Sequence, residues 1–95
     1  MDFLVEWDRE KAAQNLRKHG VSFEEAATVL ADPLSVTLPD PDHSQEEQRS
    51  LLLGRSSSGR LLIVAHSEEG ERIRIISARM MTPKERRSYE RSLEF

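Results

Sequence analysis

Between Arg49 and Met80 the chain reads as three β-strands joined by short turns, and this run constrains the fold more than any other. Arg49 to Arg55, Arg60 to Ser67 and Glu71 to Met80 are rich in Leu, Ile and Val, and Ser56-Ser57-Ser58-Gly59 makes the first turn. Three such runs with tight connections pair most simply as an antiparallel meander. The third strand is unusual in carrying guanidinium groups among β-branched residues: Arg-Ile-Arg-Ile-Ile-Ser-Ala-Arg from Arg72 to Arg79. Strict alternation puts Arg72 and Arg74 on one face with Ile76, and Arg79 on the other with Ile73, Ile75 and Ser77. Guanidinium presents a planar fork that matches phosphate oxygens two at a time, so the strand is a candidate anion-binding surface.

The register of the second hairpin decides what a nearby histidine can do. A three-residue loop, Glu68-Glu69-Gly70, with Gly70 left-handed would set Ser67 opposite Glu71, His66 opposite Arg72 and Val64 opposite Arg74. A two-residue loop at Glu69-Gly70 would instead place His66 opposite Ile73 and bury it. Glycine in the last loop position favours the first register, which gathers His66 with two arginines.

Helices precede the meander. Phe3 to Trp7 forms a short strand, then Asp8 is an N-cap for a helix from Arg9 to His19 that Gly20 ends in the left-handed position. Ala12, Ala13 and Leu16 give it a narrow apolar stripe. Ser22 and Glu25 make a capping box for a second helix, with Val21 as a staple against Ala26. Its buried face is Phe23, Ala26, Ala27 and Leu30, and Asp32-Pro33 stops it. Leu34 to Leu38 is a short strand and Pro39 to Glu47 a polar loop. Thr82-Pro83-Lys84-Glu85 then starts a last helix, combining an N-cap, a first-position proline and a capping-box glutamate, that runs to Leu93 and buries Tyr89 and Leu93. The expected class is α+β: an antiparallel sheet packed against two N-terminal helices, with a C-terminal helix, in a single domain over residues 1–95.

Charge narrows the function classes. The 95 residues carry a formal charge of −3, which argues against simple nucleic-acid binding. Its distribution is uneven. Residues 1–48 hold four basic and eleven acidic side chains, and residues 49–95 hold ten basic and six acidic. Such asymmetry points to separate surfaces for separate partners. Cysteine is absent, which removes disulfides, thiol catalysis and thiolate metal sites together. The longest apolar run, Leu61 to Ala65, is far too short to cross a bilayer or to act as a signal peptide, so the expected location is cytoplasmic with no membrane partner.

Against these limits the candidates are few. His66 and His19 are of the side-chain type that exchanges protons near neutrality. Arg72, Arg74 and Arg79 can hold a phosphate or stabilise a pentavalent transition state, or else pair with Glu68, Glu69, Glu71 or Glu85. Arg17-Lys18-His19-Gly20 places cations at a helix C-terminus, which suits the helix dipole as well as RNA phosphates. Trp7 and Tyr89 are core residues before they are stacking platforms. Asp40, Asp42 and His43 have hard-metal chemistry but no matching second cluster, and read as turn residues. No Gly-x-Ser-x-Gly elbow and no Gly-rich phosphate loop occurs. Chemistry with His, Arg and Lys, without metal or cofactor, is the simplest catalytic option.

Several phrases carry a family resemblance: Glu6-Trp7-Asp8, Lys11 to Phe23 (Lys-Ala-Ala-Gln-Asn-Leu-Arg-Lys-His-Gly-Val-Ser-Phe), Asp32-Pro33, and Arg72 to Arg79. Together they resemble the BrnT family of toxins nearly end to end. The resemblance implies a RelE-like fold and a ribonuclease toxin of a type II toxin–antitoxin pair. It implies a BrnA-type antitoxin with a ribbon-helix-helix DNA-binding part, the complex repressing its own operon, so that operator DNA is met only through the antitoxin. A homodimer within that complex is left open. The family's motifs fall on Lys18, His19, Arg74 and Arg79, which gives these a general role in RNA binding or cleavage. The expected site therefore has His66, His19, Arg74 and Arg79 in catalysis and Arg17, Lys18 and Arg72 on the RNA. The acidic overall charge departs from the basic character of RelE-like toxins.

Two other classes compete. A non-catalytic partner-binding module would use the basic last helix, with Lys84, Arg86, Arg87 and Arg91, to dock an acidic protein. A DNA-binding regulator acting alone is weaker, because the second helix carries Glu24 and Glu25 and no basic residue.

Overall fold

The structure, a computed structural model, describes residues 4–41 and 48–93. Phe3, Asp42 and His43 lie outside the described residues. Nine elements follow in chain order: β1 (Leu4–Trp7), α1 (Arg9–His19), α2 (Phe23–Thr28), a 3-10 turn (Val29–Ala31), β2 (Val36–Pro39), β3 (Arg49–Arg55), β4 (Leu61–Glu69), β5 (Arg72–Met80) and α3 (Pro83–Ser92). The strands form one sheet in the order β1-β5-β4-β3-β2. The expected meander is present in β3, β4 and β5, and β2 extends it antiparallel. β1 adds a parallel edge to β5, with Val5 opposite Ile73 and Trp7 opposite Ile75.

Local chemistry explains the helix ends. Asp8 accepts from the Lys11 backbone N–H at 3.0 Å and Gly20 closes α1 at φ 69°, a conformation glycine adopts without a Cβ penalty. Ser22 accepts from the Glu25 N–H, and Thr82 and Glu85 complete a reciprocal capping box. α1 and α2 cover one face of the sheet. Val21, Phe23, Ala26 and Val29 meet Leu52, Leu62, Val64, Ile75 and Ala78 there, with Trp7 edge-on to Phe23 at 6.1 Å between ring centroids. α3 lies over the other face, with Tyr89 buried and an apolar groove of about 310 Å³, lined by Val36, Leu51, Leu53 and Ile63, between helix and sheet.

Two features depart from the expected pattern and both reposition site residues. First, the β4–β5 loop has two residues, Gly70 and Glu71, with Gly70 leading at φ 61° and Glu69 opposite Arg72. Neither register anticipated from the turn residues is present. Second, the ladder slips by one at Ala65/His66: Ala65 faces Ser77 while His66 faces Ile75, which leaves Ile76 as an extra residue in a β-bulge. The bulge resets the alternation. Ser77 and Arg79 therefore share the α3 face with Arg72 and Arg74, correcting the expectation that Arg79 would lie opposite them. His66 turns the other way, into the α1–α2 face.

α1 also buries a different stripe. Ala12 packs against the core, but Ala13 and Leu16 are exposed. The buried member is Asn15, one turn beyond Ala12.

Candidate functional site

β5 is covered by β1 only as far as Ile75. Beyond that point its outer edge faces α1, and a single amide closes the gap. Asn15 donates through Nδ2 to the carbonyls of Ala78 (2.8 Å) and Val21 (2.9 Å) and accepts from the Ala78 N–H (3.0 Å). The side chain thus does for Ala78 what a neighbouring strand would do, leaving no buried donor or acceptor orphaned there. It also fixes how far α1 stands from the strand.

Between this amide and the end of β1 lies a cleft of about 250 Å³. Lys11, Gln14, Asn15, Lys18 and His19 line it from α1, and Ile76 and Ser77 from the bulge of β5. Positions 11, 14, 15 and 18 recur at helical spacing, so one face of α1 supplies that wall. Lys11, Lys18 and His19 form no salt bridge among the described residues. No carboxylate is among the residues that line the cleft, and Asp8, at the N-terminus of α1, sits within electrostatic reach of Lys11.

The α3 face of β5 carries the second group of cations. Arg72 has no ion pair among the described residues. Arg74 is 48% exposed and stands 3.9 Å from Glu6, a loose contact that solvent screens. Arg79 is committed elsewhere: Glu85 receives both its terminal nitrogens, at 2.7 and 2.9 Å. That fork holds the Glu85 carboxyl down to about 2, with the Thr82 N–H a lesser cause, and raises the Arg79 guanidinium above its usual value. Arg79 secures the start of α3. Ser77 joins the two groups, since it shares a face with Arg74 and lines the cleft.

The expected site is thus divided. Lys18 and His19 stand together in the cleft, Arg72 and Arg74 lie together on the sheet face, and Arg17 is exposed on α1 outside the cleft lining. His66 leaves the group. It is 1% exposed, lodged among Ala26, Leu30, Leu52, Val64, Ile73 and Ile75, and its Nε2 sits 3.0 Å from Glu68 Oε1. The shorter loop is the reason: its register pairs His66 with Ile75 instead of an arginine. Lys11, Gln14, Asn15 and Ser77 are the residues that reading the chain missed. The one available signal was an asparagine at i+3 from Ala12 on the helix's apolar side.

Asp40 ends β2, buried, its N–H bonded to the Arg49 carbonyl; the metal-like trio to which it belonged falls outside the described residues at its other two positions. Among the described residues no group of three His, Asp or Glu side chains is placed to hold a metal, and no helix is long and apolar enough to cross a membrane.

The chain is thus a small α+β domain with one group of accessible cations about β5 and another along α3. The family model of the ribonuclease toxin BrnT, of type II toxin–antitoxin systems, matches residues 7–85, and the chain belongs to that family. The crystal structure of the Brucella abortus ribonuclease toxin BrnT is similar in fold, with a TM-score of 0.64 at 21% identity, covering 86% of this chain and 97% of that one. No curated protein matches the chain by sequence. Ribonuclease activity belongs to the family, and type II membership implies an antitoxin partner.

Proposed function

We propose that the protein is an endoribonuclease toxin that cuts RNA at the α1–β5 cleft. The observation that carries the reading is the accessible pair Lys18 and His19, unpaired among the described residues, facing the bulge of β5. His19 takes the proton of a ribose 2′-hydroxyl. The freed oxygen attacks the adjacent phosphorus, the bond to the 5′-oxygen breaks, and that oxygen leaves with a proton taken from water. The products are a 2′,3′-cyclic phosphate and a 5′-hydroxyl. Lys18 stabilises the extra charge of the pentavalent phosphorus, and Arg72 and Arg74 hold the neighbouring backbone on the sheet face, with Arg17 adding positive potential beside the cleft. Arg79 and His66 support this arrangement from behind, one by seating α3 and the other by filling the core.

The toxin acts in the cytoplasm and is neutralised by a BrnA-type ribbon-helix-helix antitoxin, through which the complex reaches operator DNA. Incubation of purified protein with RNA tests the chemistry. The expected products carry 2′,3′-cyclic phosphate ends and form equally well in EDTA. Loss of cutting on chelation would remove the metal-free mechanism, and absence of cutting by a folded protein would favour a non-catalytic module acting through the basic outer face of α3.

A further inference from the structure

The cleft contains two groups that cleavage itself does not use. The Gln14 carboxamide and the Ser77 hydroxyl line it, and neither side chain has a hydrogen-bond partner among the described residues. We propose that they form a base-reading subsite for one nucleotide of the RNA, the one adjoining the phosphate on which Lys18 and His19 act; this deepens the ribonuclease reading and rests on it.

Three features of the cleft favour a base over a bare phosphate. Its walls are not purely cationic: Ile76, the extra residue of the bulge, offers an apolar surface for a ring, and Gln14 and Ser77 offer edge donors and acceptors. Its volume of about 250 Å³, below the roughly 300–1,000 Å³ usual for small-molecule pockets, suits a single base of a longer strand. Its width is set by Asn15 through three hydrogen bonds, so the reading groups sit on a fixed frame. Lys11 and Lys18 flank Gln14 on the same stripe of α1, one placed for the phosphate on each side of the base. A carboxamide presents a donor and an acceptor side by side, and the base edge it matches best is adenine. Sequence-specific RNA readers take bases in this unstacked form.

Affinity for 2′-O-methyl RNA tests this directly, because such RNA lacks the attacking hydroxyl and is not consumed. Short oligo(A), oligo(C) and oligo(U) strands are titrated against the purified toxin by fluorescence anisotropy. The expected result is roughly tenfold tighter binding of oligo(A), the discrimination of one good bidentate contact. Gln14→Ala, at an exposed position that leaves the fold intact, brings the three affinities together, and Ser77→Ala reduces the gap. Lys11→Ala weakens all three alike. Equal affinities in the parent protein, or a preference that survives Gln14→Ala, would overturn the subsite. If ordinary RNA is still cut in that case, the ribonuclease reading stands alone; a folded protein that neither cuts nor binds RNA removes both.

Discussion

Glu25 stands in the first turn of α2, where a capping-box glutamate would reach back to the N-cap, yet its carboxylate turns to the β3–β4 connection. It receives Ser56 Oγ at 2.6 Å, Arg60 Nε at 2.9 Å and a close contact from Arg60 Nη2, and these hold its pKa at about 2 instead of 4.5. Because the folded value is the lower one, this stabilisation is complete above the unfolded value near 4.5 and is lost as pH falls towards about 2. Urea melts between pH 5 and pH 2 should therefore show a steep loss in the parent protein and a shallower one in Glu25→Gln; parallel curves would refute the assignment. Asn15 makes a different prediction. Asn15→Ala strips partners from the Ala78 N–H and C=O and the Val21 C=O, and should cost at least about 2 kcal/mol in denaturant melts. A cost near zero would mean that α1 is held by packing alone.

At the scale of elements, α3 depends on three ties: the Arg79–Glu85 fork, the Thr82 capping box and the Tyr89 hydroxyl, which donates to the Leu34 carbonyl at 3.0 Å. Burial also raises the Tyr89 pKa. Tyr89→Phe removes one neutral hydrogen bond, for about 1 kcal/mol, whereas Tyr89→Ala empties the contact with the sheet, for about 3–5 kcal/mol. Similar losses from the two variants would show that the hydroxyl, not the ring, seats the helix. The turn after α2 is equally specific. Asp32 accepts from the Leu34 and Arg55 N–H groups at 2.9 and 2.7 Å, and lies so close to Gly54 that a Cβ there would meet its Oδ2 at 2.8 Å. The Asp32-Pro33 stop is thus also a clasp between α2 and β3.

For the whole molecule, what was legible followed local chemistry. The N-caps at Asp8, Ser22 and Thr82, the glycine at the end of α1 and the turn at Ser56 to Gly59 are written within a few residues, and the elements fall where they point. What escaped is non-local. The parallel pairing of β1 with β5 joins Leu4 to Arg72, and nothing within either segment announces the other. The bulge at Ile76 has no glycine to mark it, yet it brings Arg79 to the face of Arg74, while the two-residue loop at Gly70-Glu71 sets His66 opposite Ile75. Lys18 and His19 were legible as a cationic corner; their companions Gln14 and Ser77 were not, because the cleft exists only once α1 lies against the open edge of β5. One histidine meets RNA and the other fills the core, and the most direct measurement compares cleavage rates, per folded molecule, of His19→Ala and His66→Gln. His19→Ala should lose about 100-fold or more in rate with an unchanged melting temperature, while His66→Gln melts earlier but cuts at the parent rate. A folded but inactive His66→Gln beside an active His19→Ala would contradict it.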